Sequence, residues 1–448
     1  MSSTAPEGEL RFRESLRHLP PRVWIVSAGN LVNRAGNFLP VFIVLYLASK
    51  HRSAGAAGLV LGAAGIGNVL GAALGGHLAD RIGRRWTMTV SAVLTAGLTA
   101  LVPLVGNLAL LVGLVGVTGV ASQLYRPAAA ALLVDGMDHQ QRLAASGVFR
   151  FGMNVGASIG GVLGGLLASR SFAWLFYSNA MASLAFGILT AILVRDAPRP
   201  AASASATAGS GGADGDADAD AGSASGIEQR AVDPSYRTAL RDRHLRRFLA
   251  MTFVAEFVYV QSTVGLPLHV TSVGLSAESF GLLIGLNGLL VLICELPLTG
   301  AVSRRRPEYV LFLGNLLTGA GLALTVFADS MFWLAATVVL WTAGEMLYAS
   351  MAAAHLGGLS PPHLVGRYQG LYAAAITAGT GLGPLIGGLV YTSSTKVFWL
   401  LVGAAGLWSA QLCLPPRRRA GRPGAGGTGP DHHPEEGREA QPIRISNQ

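Results

Sequence analysis

Long apolar stretches recur through almost the whole sequence and constrain the fold more than any other feature. Each has about 20 residues, the length that an α-helix needs to cross a hydrocarbon layer about 30 Å thick. Of the 448 residues, 51% are hydrophobic and 13% are charged, whereas a soluble domain has about 25% charged residues. So few charges cannot cover a soluble surface of this size. The sequence therefore predicts an all-α polytopic membrane protein.

We predict twelve transmembrane helices in two sets of six. The chain then divides into five segments. They are an N-terminal cytoplasmic segment (1–22), a six-helix bundle (23–194), a disordered cytoplasmic linker (195–246), a second six-helix bundle (247–415) and a disordered cytoplasmic tail (416–448). The linker is rich in Ala, Gly, Ser and Asp, a composition that cannot bury a core. The helices are expected at 23–48, 54–79, 86–106, 108–134, 144–168, 172–194, 247–271, 277–301, 308–328, 331–355, 366–392 and 395–415.

The distribution of lysine and arginine predicts the orientation of these helices. If both termini are cytoplasmic, the opposite side carries only Lys50, Arg52, Arg170 and Lys396, and the other basic loop residues are cytoplasmic. This asymmetry follows the positive-inside rule and predicts a multi-pass protein of the cell membrane. The net charge of +9 comes from these loop clusters. No basic and aromatic pattern of a nucleic-acid-binding sheet occurs, so we expect no nucleic-acid partner.

The sequence carries no motif that indicates enzyme chemistry. It has no CxxC or HExxH spacing and no phosphate-binding loop, and its one G-x-S-x-G pattern, GASIG at 156–160, lies within a predicted helix and not at the strand-to-helix turn of a nucleophile elbow. Cys294 and Cys413 lie far apart in apolar segments, as small buried side chains do. We therefore expect no cofactor, no metal and no enzymatic activity. A membrane-embedded enzyme or a sensor is the alternative from another functional class.

The two sets of helices contain related segments. The sequence GASIGGVLGG at 156–165 reappears as GTGLGPLIGG 223 residues later, at 379–388. The segment that begins GHLADRIGRR at Gly76 reappears in degraded form as GAVSRRRPEY, 224 residues later. Two motifs with nearly the same offset indicate a duplicated six-helix unit. Transporters use such parallel halves around a central pathway, related by a pseudo-twofold axis.

These motifs resemble those of a known family. GHLADRIGRR is similar to the signature between helices 2 and 3 of the major facilitator superfamily. GTGLGPLIGG resembles an element associated with its antiporters, although the first copy has Gly161 where the proline stands. The segment WTAGEMLY from Trp341 resembles helix 10 of the twelve-helix drug/proton antiporters. The resemblance covers about residues 20–415 and implies a twelve-helix fold with two pseudo-twofold-related halves and transport by alternating access.

The charged loop between helices 2 and 3 has a predicted mechanical role. Its glycines permit close approach and a tight turn, and its arginines hold the loop on the cytoplasmic side. The resemblance implies that Asp80 contacts the start of helix 11 in one conformation and acts as a latch. The alternative is that Asp80 only ties down its own loop. The predicted latch loop comprises Gly76, Asp80, Arg81, Gly83, Arg84 and Arg85.

Glycines at every fourth position predict close packing of helices 5 and 11. Small residues at this spacing let helix backbones approach each other in lipid. Sliding of the two halves along these stripes is a further possibility. The predicted packing residues are Gly156, Gly160, Gly379, Gly383, Pro384 and Gly387.

Ionisable side chains within the apolar helices are the main candidate site residues, because a charge in the bilayer is costly. The N-terminal half contributes arginines and the C-terminal half glutamates. We predict proton coupling at Glu345, Glu256 or Glu295. The alternative is a permanent ion pair between a glutamate and Arg126 or Arg150, and these arginines can also snorkel to the surface. The predicted substrate cavity comprises Asn30, Asn33, Arg34, Asn37, Arg126, Arg150, Tyr259, Gln261 and Asn287.

The function expected from these features is secondary active transport. The chain is expected to be a monomeric, proton-coupled exporter, of the multidrug efflux type, for a small amphipathic drug or metabolite. Its partners would be that small molecule, protons and the lipid bilayer. The alternative is a facilitator or proton symporter that imports a polar metabolite.

Overall fold

The computed structural model describes residues 19–134, 137, 139–194, 236–361 and 364–414. Within these residues the secondary structure is helical, with short connecting turns and no strand. Residues 1–18, most of the predicted linker and the predicted tail lie outside the described residues, together with the expectation that they are disordered.

Twelve helical spans in the described part of the chain are long and apolar enough to cross a membrane, which confirms the predicted all-α fold of twelve helices. We number them helix 1 to helix 12. In chain order they are Pro21–Ser49, Ala54–Ile82, Arg84–Leu104, Leu108–Leu132, Ala144–Arg170, Phe172–Leu193, Arg243–Ser272, Ala277–Val302, Pro307–Phe327, Met331–Leu359, Val365–Ser393 and Thr395–Cys413.

Helix 7 begins earlier than the sequence predicts. A short helix, Tyr236–Arg241, precedes it, so residues 236–241 and 243–246 of the predicted linker are helical. The side chain of Asp242 caps helix 7 by accepting a hydrogen bond from the backbone N–H of His244, at 2.8 Å. Its other carboxylate oxygen accepts one from the Tyr368 hydroxyl at 2.9 Å, which ties this end of helix 7 to helix 11.

Short connections make consecutive helices antiparallel, so their ends lie on two sides of the membrane. We call the side with residues 83, 194, 303–306, 360 and 414 the linker side, and the opposite side the far side. Even-numbered helices begin on the far side, and most begin with a polar cap whose side chain accepts from a backbone N–H of the first turn, as short polar side chains do. These caps are Ser53, Asn107, Ser171, Ser276 and Ser394.

Helices 1 and 7 are both interrupted near their middles. Helix 1 consists of Pro21–Ala35 and Leu39–Ser49, here helices 1a and 1b. The break follows from Pro40, which has no backbone N–H and whose ring would clash with the carbonyl four residues earlier. Helix 7 consists of Arg243–Tyr259 and Gln261–Ser272, here helices 7a and 7b. The two breaks lie at equivalent positions of the 223-residue repeat.

Many large apolar side chains point outward, as expected for a surface that faces lipid. Leu296, Phe327 and Phe332 are each more than 70% exposed. A soluble protein rarely exposes extended apolar patches of this kind. The surface and the twelve spans together describe a multi-pass membrane protein.

The buried apolar side chains show where the two halves meet. Towards the far side, one cluster includes residues of both halves, such as Phe42 of helix 1b and Phe280 of helix 8, whose ring centroids are 5.5 Å apart. Towards the linker side, each of the remaining clusters belongs to a single half. The buried apolar contact between the halves therefore lies on the far side, and no buried apolar cluster of the described residues joins them towards the linker side.

Candidate functional site

Three ionisable residues lie at the middle of the membrane spans. Arg34 of helix 1, Glu256 of helix 7 and Glu345 of helix 10 are each within two residues of the midpoint of their span. The other predicted charges, Arg126, Arg150 and Glu295, lie nearer the linker side. Transporters bind substrates and coupling ions near the midplane, next to interrupted helices. The middle level is therefore the candidate transport site.

Three helices of the C-terminal half fix the carboxylate of Glu345. The Tyr259 hydroxyl of helix 7 donates to Oε1 at 2.8 Å. Asn287 of helix 8 donates to Oε2 at 2.9 Å and also contacts the Thr342 hydroxyl at 3.0 Å. Both donors are neutral, and among the described residues no arginine or lysine pairs with Glu345. The site thus hydrogen-bonds the carboxylate without neutralising its charge.

Glu256 lines the same cavity, which lies inside the C-terminal half. Glu256 is half-buried, and no hydrogen bond joins its side chain to any other described residue. It lies close enough to Glu345 for the two carboxylates to interact electrostatically. The cavity is lined by Ala255, Glu256, Tyr259, Asn315, Thr318, Glu345, Tyr348, Ala349 and Tyr372.

The N-terminal half contains a second polar cavity, which brings Arg34 and Arg126 together. Within the described chain, neither guanidinium has a carboxylate oxygen within 4.0 Å or donates a hydrogen bond. Arg34 is close enough to Tyr259 of the opposite half to interact with it electrostatically. The cavity is lined by Asn33, Arg34, Asn37, Ser91, Ala92, Thr95, Ser122, Gln123, Tyr125, Arg126, Ser183 and Phe186.

Glu295 has a different environment from the other two glutamates. Its Oε1 forms an ion pair with Nη2 of Arg150 at 2.7 Å, and its Oε2 accepts a hydrogen bond from Asn154 at 3.2 Å. Arg150 and Asn154 belong to helix 5, so the pair joins the two halves. The alternative of a permanent ion pair therefore describes Glu295 with Arg150 in this conformation.

Four predicted cavity residues do not line either midplane cavity: Arg150, which pairs with Glu295, Asn287, which holds Glu345, and the buried residues Asn30 and Gln261. Asn30 is fully buried and its side-chain oxygen accepts a hydrogen bond from the Tyr125 hydroxyl at 3.3 Å. Gln261 is also fully buried, and its amide donates to the carbonyls of Phe257 and Gly383 at 2.9 and 3.0 Å. Gln261 follows the break in helix 7, so it points into helix 11 and replaces a backbone hydrogen bond lost there.

The glycine stripes pack within each half, so the possibility that the halves slide along them is wrong for these positions. A β-carbon at Gly156 or Gly160 would lie 3.0 Å or less from the backbone of helix 1. Gly379 faces the backbone of helix 7 in the same way, and Gly383 and Gly387 face the side chains of Val260 and Gln261 in that helix. Close approach is therefore required where helices 5 and 11 cover the interrupted helices.

Different glycines form the contact between the halves. On the far side, Gly165 of helix 5 lies against Gly281 of helix 8, where a β-carbon would be 2.8 Å from the neighbouring Cα. Gly58 of helix 2 lies against the carbonyl of Pro384 in helix 11. Pro384 is thus the one predicted packing residue that contacts the opposite half.

In the loop between helices 2 and 3, the predicted turn is present at Gly83, which has a φ of 90°. Few residues other than glycine adopt this conformation. Gly76 differs from the prediction, because no atom lies within 4 Å of the position of its β-carbon. Arg85 donates to the carbonyl of Ala191 and lies over the Trp86 ring. Asp80, Arg81 and Arg84 end helix 2 and start helix 3 on the linker side.

Sequence reasoning missed several polar residues of the cavities. Thr342, Tyr348 and Tyr372 surround the glutamates, and Asn154 binds Glu295. Each is a polar side chain within an apolar span, which is the signal that could have identified them. No group of three or more His, Cys, Asp or Glu side chains in the described residues has the arrangement of a metal site.

A twelve-helix bundle with charged residues at mid-membrane, between two repeated halves, defines a secondary transporter. Residues 26–344 and 272–444 match the family model of the Major Facilitator Superfamily, and the chain belongs to that family. It is therefore a membrane transporter and not an enzyme.

Known relatives and solved structures agree with this assignment. The chain is 25% identical over 382 residues to the uncharacterized MFS-type transporter YqjV of Bacillus subtilis (strain 168), with 83% of this chain and 87% of YqjV covered. It is 24% identical over 368 residues to a Na(+), Li(+), K(+)/H(+) antiporter of Planococcus maritimus, with 77% and 83% covered. The crystal structure of the nucleoside transporter NupG superposes with a TM-score of 0.68 at 15% identity, covering 87% and 98% of the two chains, which shows a shared fold.

Proposed function

We propose that this transporter is a proton-coupled exporter that exchanges protons for a small amphipathic drug or metabolite. The observation that carries the proposal is the environment of Glu345. This carboxylate lies at mid-membrane, and its described partners are two neutral donors, with no cation among them. A carboxylate in such a place is free to take up either a proton or a cationic group of a substrate.

Competition for the same carboxylate provides the exchange mechanism. Burial favours the neutral carboxyl, whereas the hydrogen bonds from Tyr259 and Asn287 favour the carboxylate. These opposing effects allow the group to exist in both forms as its surroundings change during transport. A proton on Glu345 would remove the charge that attracts a substrate cation, so binding of one releases the other. Glu256, in the same cavity, is the second candidate for this role.

The proposed orientation places the linker side in the cytoplasm of the cell. The arginines of the loops and helix ends on that side support it through the positive-inside rule. The conformation described above is then inward-facing, with the cavities accessible from the cytoplasm. Both midplane cavities are built by one chain, which supports a monomeric transporter. The antiporter from Planococcus maritimus supports proton exchange among relatives.

Asp80 is proposed to act when the halves close on the linker side. Helices 2 and 11 contact each other on the far side, whereas the space beside Gly76 is open. Closure of the linker side would bring this end of helix 2 towards the start of helix 11. The helix dipole at the first turn of helix 11 favours an acidic partner there.

The test compares Glu345→Gln with Glu295→Gln in inverted membrane vesicles, which take up compounds from the outside solution, and uses a panel of cationic, zwitterionic and neutral compounds. Glutamine preserves shape and hydrogen bonding but cannot titrate. We expect Glu345→Gln to abolish uphill transport driven by a pH difference, while equilibrium exchange continues at a substrate concentration high enough to offset weaker binding of the cationic group. Glu295→Gln is the matched control, because Glu295 is already paired with Arg150 and should not couple protons.

Loss of uphill transport in the control variant alone would contradict the assignment of Glu345. Glu256→Gln completes the series. Wild-type uphill transport in all three variants would refute proton coupling through these carboxylates. That result would favour the alternative of a facilitator or importer for a polar metabolite.

A further inference from the structure

The two midplane cavities carry opposite charges that do not neutralise each other. The N-terminal wall contains Arg34 and Arg126, and the C-terminal wall contains Glu256 and Glu345. Among the described residues, no ion pair within 4.0 Å connects these two walls. An ion pair does connect the halves elsewhere, between Arg150 and Glu295. Each wall therefore lacks a counter-ion at the level of the membrane where an unpaired charge is most costly.

From this arrangement we infer that the transported molecule carries an anionic and a cationic group at opposite ends of one apolar or aromatic body. The anionic group binds the arginine wall, and the cationic group binds the glutamate wall. This inference names the substrate class of the proposed transport site and therefore rests on that site.

The arginine wall has the chemistry of a carboxylate or phosphate site. A guanidinium binds such groups through two parallel hydrogen bonds. Neutral donors surround Arg34 in the cavity, including the side chains of Asn37, Ser122 and Gln123. These groups stabilise an anion without adding charge, and no carboxylate of the described chain occupies the position.

The glutamate wall has the chemistry of an ammonium site. Glu345 is held in place by Tyr259 and Asn287, and Glu256 places a second carboxyl group nearby. Tyr259, Tyr348 and Tyr372 also line this wall and supply aromatic surface, which attracts organic cations. The middle of the ligand would therefore contact aromatic rings.

A ligand with a single charge fits this pair of walls poorly. A cation is attracted by the glutamates and repelled by the arginines. An anion is attracted by the arginines and repelled by the glutamates. Only a molecule with both charges gives each wall its counter-ion. Because such a ligand contacts both halves, its binding also favours closure of the halves around it.

Three matched probes test the inference on the purified full-length protein near pH 7. The three probes share one aromatic ring. 4-(Aminomethyl)benzoate carries both charges, its methyl ester carries only the positive charge, and 4-methylbenzoate carries only the negative charge. We expect the doubly charged probe to bind at least about tenfold more tightly than either of the others, a difference of roughly 1.4 kcal/mol. A series of linear ω-amino acids of increasing length then measures the separation of the two walls.

Two variants assign the ends of the ligand. Arg34→Gln should reduce binding of 4-(aminomethyl)benzoate to the level of the methyl ester, and should strengthen binding of the ester because a repulsive charge is gone. Glu345→Gln should reduce the affinity for 4-(aminomethyl)benzoate to the affinity for 4-methylbenzoate. Thermal unfolding without probe shows whether each variant is folded, and Arg126→Gln replaces Arg34→Gln if the latter is not.

Equal binding of the three probes to the wild-type protein, or no binding in the millimolar range, would overturn the inference. The inference would also be overturned if both arginine variants kept the wild-type preference for 4-(aminomethyl)benzoate over its methyl ester. The binding assay uses no pH gradient, so its outcome is separate from the vesicle assay. Preferential binding of the doubly charged probe without proton flux would leave this inference standing and refute proton exchange.

Discussion

The contact between helices 2 and 11 allows one substitution to shift the conformational equilibrium. A β-carbon at Gly58 would lie well within 3.0 Å of the carbonyl oxygen of Pro384 and 3.2 Å from the Cα of Gly388. Both neighbours are backbone atoms, which cannot rotate away. Since non-bonded heavy atoms prefer separations of about 3.5–4.0 Å, the helices must move apart by about 1 Å or more. We therefore expect Gly58→Ala to destabilise the conformation that is closed on the far side.

The expected cost is that of overpacking a well-packed contact, about 1–3 kcal/mol. A free-energy change of this size alters the ratio of two conformations by about 5- to 150-fold. Gly62→Ala is the matched control. It adds the same methyl group to the same helix, facing the same partner, but its β-carbon would lie 3.5 Å from Cβ of Leu385, an ordinary contact.

The two conformations can be distinguished by the distance between spin labels on the far side of the two halves. Labels on cysteines at Lys50 and Lys396 report this distance once Cys294 and Cys413 have been replaced by serine. We expect a longer-distance population in Gly58→Ala and a wild-type distribution in Gly62→Ala. If both variants give the wild-type distribution, the far-side contact does not control the equilibrium and the reasoning is wrong.

Two further substitutions test the site and the loop between helices 2 and 3. Tyr259→Phe keeps the ring that packs edge-on against Trp341 but removes the donor to Glu345, and a hydrogen bond to a charged group contributes about 1.5–3 kcal/mol. Uphill transport in vesicles should fall by roughly tenfold or more with the amount of folded protein unchanged, and wild-type transport would show that the hydroxyl is dispensable. Asp80→Asn should lower the turnover rate more than the substrate affinity in the same assay, and a variant with weaker binding as its one defect would contradict the latch.

The sequence was sufficient to predict the twelve helices and the charged residues that lie at the middle of their spans. A hydrocarbon layer requires long apolar segments, and this requirement does not depend on which helices become neighbours. A charge within such a segment is likewise visible without any tertiary information. Arg34, Glu256 and Glu345 were therefore identifiable from their position in the chain.

The partners of these residues depend on packing between distant segments and could not be predicted. Glu345 meets its two donors across separations of 86 and 58 residues. The spacing of the glycine stripes predicted close approach, but a spacing identifies neither the neighbouring helix nor its half. Gln261 was assigned to the cavity on the assumption of a continuous helix 7, and the break at Val260 changes the direction of its side chain.

The interrupted helices connect the charged midplane with the seal on the far side. Helices 1b and 7b pack against each other across the two halves and form part of that seal. Arg34 precedes the break in helix 1 and Glu256 precedes the equivalent break in helix 7, within about one turn in each case. A change in angle at either break therefore moves a midplane charge relative to the far-side contact. The repeat places opposite charges at these equivalent positions. A ligand that neutralises both charges therefore acts at the two breaks in helices 1 and 7, which are also the hinges that move when the far side opens.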